Sequence, residues 1–97
     1  MFRHVVLFRW KAATSDADVE EIARRLRALP AAIAELRDYR VGADAGYSPG
    51  TWDFVVVADF DDADGWRAYR DHPDHLAVRT ERIEPAVAER ASVQYEC

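Results

Sequence analysis

The chain has 97 residues, of which 49% are hydrophobic and 32% charged, and we treat residues 1–97 as one globular domain rather than a disordered chain. The net charge of −5 argues against nucleic acid or an anionic membrane as the main partner. The single cysteine, Cys97, allows no intrachain disulfide, and we find neither a signal peptide nor a membrane span, so we predict a cytoplasmic protein.

The N-terminal part of the chain is predicted to form a strand and a helix. Phe2–Trp10 alternates as a strand does, with apolar residues on both faces and His4 on the more apolar one. Ser15 and Asp18 then stand three residues apart, as in a helix capping box. Apolar residues follow at helical spacing as far as Pro30, which indicates an amphipathic helix.

The middle of the chain contains two further predicted strands. Leu36–Gly42 is less apolar than the first strand, and we therefore place it near an edge of the sheet. Ala43–Gly50 holds two glycines and a proline, which is typical of a loop. Thr51–Phe60 (TWDFVVVADF) is the most strongly predicted strand, and both of its faces carry large apolar residues.

One layer of helices covers only one face of a sheet, so the second apolar face of these strands must be buried by something else. The residues that we expect against a partner subunit are Trp52, Phe54 and Val56. The residues that we expect against the protein's own helices are His4, Val6, Asp53 and Val55.

The last third of the chain is predicted to hold a broken helix and a strand. Asp61–Asp71 forms a short helix, and His72 ends it because a residue before proline avoids the α region. Pro73–Arg90 is predicted as a longer helix that Pro85 kinks or ends. Ala91–Cys97 is the predicted final strand.

The element order β-α-β-β-α-α-β is that of the ferredoxin-like split βαβ pattern with its second helix broken. It predicts an α+β fold, with a four-stranded antiparallel sheet and helices on one face. The uncovered apolar face then favours a second copy of the sheet packed against it. We therefore predict a homodimer with a barrel-like centre, a dimeric α/β barrel.

The helix break holds the candidate site. Histidine supplies a base near neutral pH and tyrosine a hydrogen-bond donor, and Tyr69, His72 and His75 are three residues apart. An ordinary structural role is the alternative, in which Tyr69 packs on Trp66 and His72 caps the following helix. A histidine on an apolar strand face is more often a core residue, but His4 can reach a cavity beneath Tyr69 and His75.

Two further interpretations concern acidic residues and metals. An aspartate that faces helices is buried at a cost unless it is paired, so we expect Asp53 to pair with His4 or His75. His72 and His75 lack a third ligand at a recognisable spacing. We therefore predict no metal, and no motif indicates a cofactor.

The segments MFRHVVLFRW, WDFVVVADFDD, AYRDHPDH and SVQYEC resemble the stress-responsive α/β barrel (Dabb) family over essentially the whole chain. The resemblance implies a small dimeric α+β barrel. One studied member, a plant polyketide cyclase, performs an aldol cyclisation with a tyrosine and the second histidine of a His-Pro-x-His element. Similarity to it implies that Tyr69 and His75 are catalytic and that His4 lines the pocket. The cyclase has a pocket histidine in the third strand, where this chain has Asp53.

Two functions follow from these observations. The first is a pocket between sheet and helices that binds a small, fairly apolar molecule, with His75 and Tyr69 as catalytic residues of a cyclase- or lyase-type enzyme. The residues that would bind the substrate are His4, Val6, Asp53, Val55 and His72. The alternative is a non-catalytic, stress-associated structural or binding dimer. A ligand-sized cavity favours the first function and a filled interior the second.

Overall fold

The computed structural model describes residues 1 to 97. None of its helices is long and apolar enough to cross a membrane. In chain order the elements are β1 (Phe2–Trp10), α1 (Asp16–Arg27), α2 (Leu29–Ala32), β2 (Asp38–Ala43), β3 (Phe54–Phe60), α3 (Ala63–Asp71), α4 (Pro73–Val78), a π-helical segment (Arg79–Ile83), α5 (Glu84–Ala86) and β4 (Val87–Glu96).

The four strands form one antiparallel sheet in the order β2-β3-β1-β4. The two most apolar strands, β1 and β3, are central, and β2 lies at an edge as predicted. The helices cover one face of this sheet, which we call the inner face. The fold is the α+β, ferredoxin-like arrangement that the element order predicts.

The hydrophobic core lies between the inner face and the helices. Helix α1 starts at the predicted capping box, in which Ser15 and Asp18 each accept a hydrogen bond from the other's backbone N–H. It turns Ile22 and Leu26 toward the sheet, where both side chains are almost fully buried beside Phe60. Burying side chains of this size stabilises the fold by about 1.5–3 kcal/mol each.

The faces of β3 differ from the prediction. The β1–β3 register sets Val6 opposite Val56, and side chains that lie opposite each other share a face. Phe54 and Val56 are therefore buried under the helices together with His4, while Val55 lies on the opposite, outer face. Alternation sorts the residues of one strand into two groups but does not say which group faces the helices, and our assignment of Phe54, Val56 and Val55 was wrong.

The outer face of the sheet carries an apolar band and one half-buried ion pair. The Arg3 guanidinium donates to both carboxylate oxygens of Asp59, at 2.7 and 2.8 Å. Trp52 precedes β3 and lies 4.2 Å from the guanidinium carbon of Arg9, so it belongs to this side as predicted. The valines and leucine of the band are Val5, Leu7, Val55, Val57 and Val93, the last of which is 58% exposed.

The predicted helix break is confirmed. Helix α3 ends at Asp71, and His72 has an extended backbone with φ −64° and ψ 135°. Pro73 is the first residue of α4, where the missing N–H of proline costs no hydrogen bond. The His72 ring caps α4, because its Nδ1 atom accepts the Asp74 N–H at 3.1 Å.

The end of the helical region was predicted too late in the chain. Helix α4 passes into the π-helical segment, and Pro85 lies in the final short turn. Strand β4 begins at Val87, opposite Trp10, rather than at Ala91. The sequence after Pro85 has a helical pattern, but pairing with the whole length of β1 outweighs it.

Candidate functional site

A cavity of about 470 Å³ lies between the inner face of the sheet and helices α3 and α4. This volume falls within the roughly 300–1,000 Å³ of small-molecule sites. Eight of its fourteen lining residues are hydrophobic, and the other six are histidines, arginines and one glutamate. The lining residues used below are His4, Val6, Trp66, Tyr69, His75 and Arg90.

The structure brings together some of the predicted site residues and separates the others. Those that line the cavity are His4, Val6, Tyr69 and His75. Val55 does not, because the register turns it to the outer face. Asp53 is exposed, and its carboxylate accepts the Trp10 N–H at 2.9 Å, so its predicted pairing with a histidine is wrong. His72 is occupied in capping α4 and lies outside the cavity.

His75 offers an acceptor nitrogen to the cavity. Its Nδ1 atom is 3.0 Å from the carbonyl oxygen of Arg70, and since a carbonyl only accepts, Nδ1 carries the hydrogen. In the neutral ring, the lone pair is then on Nε2. Burial lowers the pKa of His75, the hydrogen bond to Arg70 raises it, and the charges of Arg79 and Arg90 lower it further. The ring is therefore neutral at pH 7, and Nε2 can act as a base.

His4 has the opposite tautomer. The Gln94 amide nitrogen donates to His4 Nδ1 at 3.0 Å, which leaves the ring hydrogen on Nε2. Burial lowers the pKa of His4 to about 4, helped by the charges of Arg90 and His75. The Trp66 ring covers it, with centroids 5.8 Å apart. His4 is thus a neutral hydrogen-bond donor at physiological pH.

Tyr69 lies against His75 and is linked to a second tyrosine. The Tyr69 and His75 ring centroids are 4.3 Å apart. The Tyr69 hydroxyl is 2.9 Å from that of Tyr39 on β2. When Tyr39 donates in this pair, the Tyr69 O–H is left for a ligand. Burial raises the pKa of Tyr69 to about 12 although the bond to Tyr39 lowers it, so the hydroxyl stays protonated.

Sequence reasoning missed three residues that shape this site. Tyr39 and Gln94 lie on edge strands, 30 and 90 positions from the residues that they bind. Arg90 lies at the rim of the cavity and was placed in the predicted helix. The alternating pattern of β2 marks Tyr39 as a strand residue, but no local motif connects any of the three to the helix break.

The arrangement suits carbon-acid chemistry. A neutral base at His75 lies in the same cavity as two donors, the His4 Nε2–H and the Tyr69 O–H. Such a set can remove a proton next to a carbonyl group and hold the negative oxygen that results. No three His, Cys, Asp or Glu side chains come together in the manner of metal ligands.

Comparison with known proteins gives relatives in sequence and in structure. An uncharacterised protein of Streptomyces coelicolor is 32% identical over 79 residues, which are 79% of this chain and 81% of that one. A dimeric ferredoxin-like protein of unknown function from Thermobifida fusca is 48% identical, with a TM-score of 0.92 over 99% of this chain and 90% of its own.

More distant structures share the fold alone. A hydroxynitrile lyase from Passiflora edulis is 19% identical, with a TM-score of 0.84 over 97% of this chain and 90% of its own.

The family model of the stress responsive A/B barrel domain, Dabb, matches residues 2–97. It agrees with the resemblance seen in the sequence segments. The chain therefore belongs to the stress-responsive A/B barrel (Dabb) family.

Proposed function

We propose that the protein is a homodimeric enzyme that binds a small, fairly apolar carbonyl compound in this cavity. The reaction is proton abstraction next to the carbonyl group, as in an aldol-type cyclisation. One observation carries the proposal: a neutral histidine acceptor and two neutral donors line one ligand-sized cavity, at His75, His4 and Tyr69. The Passiflora edulis lyase is an enzyme with the same fold, which is compatible with this role.

The proposed reaction uses each of the three groups once. His75 Nε2 takes a proton from the carbon next to the carbonyl, and the electron pair moves onto the carbonyl oxygen. The Tyr69 O–H and the His4 Nε2–H donate to that oxygen and stabilise its charge. The enolate carbon then attacks a second carbonyl of the same molecule. The imidazolium of His75 returns its proton to the alkoxide that forms.

The homodimer is proposed on the exposed apolar band of the outer face. Val93 is 58% exposed in this band, and a second sheet packed face to face would cover it. The Thermobifida fusca relative is dimeric, which supports the same assembly here. The cavity lies on the inner face, so each subunit of such a dimer keeps its own site.

A non-catalytic dimer is the alternative. A purely structural dimer would leave the space between sheet and helices without a purpose and is expected to fill it with side chains. A non-catalytic binding dimer would use the cavity but would not catalyse the exchange reaction described below. The cavity of about 470 Å³ therefore supports a ligand-binding role.

The first half of the reaction can be tested without the natural substrate. We expect the protein to accelerate exchange of the methyl protons of acetophenone with D₂O, followed by ¹H NMR. His75→Asn should lower the enzyme-dependent rate by about 10²–10⁴-fold, the usual loss for a general base. His72→Asn is the matched control, because asparagine still caps α4 and His72 lies outside the cavity.

The pH dependence adds a second readout. The base acts only when neutral, so the rate should fall as the pH drops through the pKa of His75. Burial lowers that pKa, so the rate should hold to a lower pH than the value of about 6.5 for an unperturbed histidine. Equal exchange rates for wild type and His75→Asn would refute the catalytic assignment.

A further inference from the structure

Three arginines border the cavity, and only one of them has no carboxylate partner. Arg70 forms an ion pair with Asp71 at 2.9 Å, and Arg79 forms one with Glu84 at 3.4 Å. Arg90 takes part in none of the nine ion pairs of the chain. An unpaired guanidinium at the mouth of a cavity is free to bind a ligand.

The position of Arg90 directs it to the same space as the proposed base. The β1–β4 register places it opposite Phe8, a buried residue of the inner face that also lines the cavity. Its charge is close enough to lower the pKa of His4, His75 and Tyr69 alike. Arg90 itself is exposed, so it lies at the mouth, whereas His4 is 6% exposed and lies deep.

We infer that Arg90 anchors the carboxylate of an acidic ligand, so that the substrate class is a small monocarboxylate with an apolar body. This inference rests on the proposed function and names the substrate class of the same site. A planar guanidinium matches a carboxylate with two parallel N–H···O bonds, which fixes orientation as well as charge. With its acid group at the mouth, the ligand places its apolar body against Phe8, Val6 and Trp66.

The net negative charge of the protein means that a carboxylate ligand depends on Arg90 for its binding. The net charge is −5, so the chain as a whole repels anions, and binding of a carboxylate needs a specific local cation. Arg70 and Arg79 each already have a carboxylate partner. Arg90 is thus the group that distinguishes an acid from a neutral ligand of the same shape.

The test compares two ligands that differ in charge but hardly in shape. 2-Naphthoate and 2-naphthamide are titrated into the full-length protein by calorimetry. We expect the acid to bind about tenfold more tightly than the amide, as a charge-assisted bond predicts. Arg90→Gln should weaken naphthoate about tenfold and leave naphthamide unchanged. Arg82→Gln is the matched control, since Arg82 also lacks an ion pair and does not line this cavity.

Each outcome has a distinct meaning. Equal affinities for acid and amide in the wild type would overturn the inference and leave the binding pocket in place. Equal weakening of naphthoate by Arg82→Gln and Arg90→Gln would also overturn it, because the effect would then be one of overall charge. If neither compound binds, the apolar pocket of the proposed function fails, and the inference fails with it.

Discussion

The hydrogen bond between Tyr39 and Tyr69 allows a quantitative test of how the site is held. The two hydroxyls are 2.9 Å apart, and Tyr69 is 4% exposed. A buried hydroxyl that loses its partner costs about 1–3 kcal/mol. Tyr69 also lines the cavity and Tyr39 is only half-buried, so water can approach the hydroxyl that is left without a partner. We therefore expect the low end, about 1 kcal/mol, for Tyr39→Phe and for Tyr69→Phe.

The double mutant should lose less than the sum of the two single mutants. Replacing both hydroxyls leaves no unsatisfied group, and such paired replacements are nearly neutral. We therefore expect a coupling of about 2 kcal/mol between the two tyrosines, the sum of the two single losses. Urea unfolding at a fixed protein concentration measures it, and with m about 1–3 kcal/mol/M the midpoint of each single mutant falls by about 0.3–1 M. Additive losses with an unchanged m value would refute the reasoning.

The same variants separate structure from catalysis. Tyr39→Phe keeps the Tyr69 hydroxyl, whereas Tyr69→Phe removes the proposed donor to the developing oxyanion. Proton exchange of acetophenone should therefore slow more in Tyr69→Phe, although the two variants are similarly stable. Equal rates in the two variants would mean that the Tyr69 hydroxyl takes no part in the reaction.

Two further predictions concern assembly and pH. Val93→Asp places a charge in the apolar band of the outer face and should give a monomer by light scattering, whereas Tyr47→Asp, at a residue 94% exposed, should leave a dimer. A dimeric Val93→Asp would contradict the proposed packing. The pKa of His4 is lowered to about 4, so its ring signals should titrate near pH 4 by NMR, and titration near 6.5 would contradict its burial. The unfolded ring binds a proton below about pH 6.5 and the folded ring only near 4, so the free energy of unfolding should fall as pH decreases across this window, and less so in His4→Gln.

Local chemistry explains what the sequence predicts well. Pro73 lacks a backbone N–H and restricts the residue before it, so the break at His72 follows from two neighbouring residues. The capping box of Ser15 and Asp18 is equally local. Tyr69 and His75 lie on either side of this break, which is why sequence spacing and family resemblance could propose them together as site residues.

The errors share a different cause, which is strand register. Whether Val55 or Val56 faces the helices depends on which residue of β1 lies opposite, and no spacing within β3 contains that information. Asp53 was expected in the cavity for the same reason, and it instead accepts a backbone N–H at the end of β1.

Arg90 shows how one boundary error can hide a site residue. Arg90 was the last residue of the predicted helix Pro73–Arg90, and nothing in that prediction placed it near His4. The observed strand begins at Val87, and the ladder with β1 then fixes Arg90 opposite Phe8, on the inner face. The pairing that moves the strand boundary is thus the same pairing that brings the unpaired guanidinium to the cavity. In this fold, the helix break provides the proposed base and donor, while the edge strand β4 provides Gln94 and Arg90, which set the tautomer of His4 and the charge of the mouth.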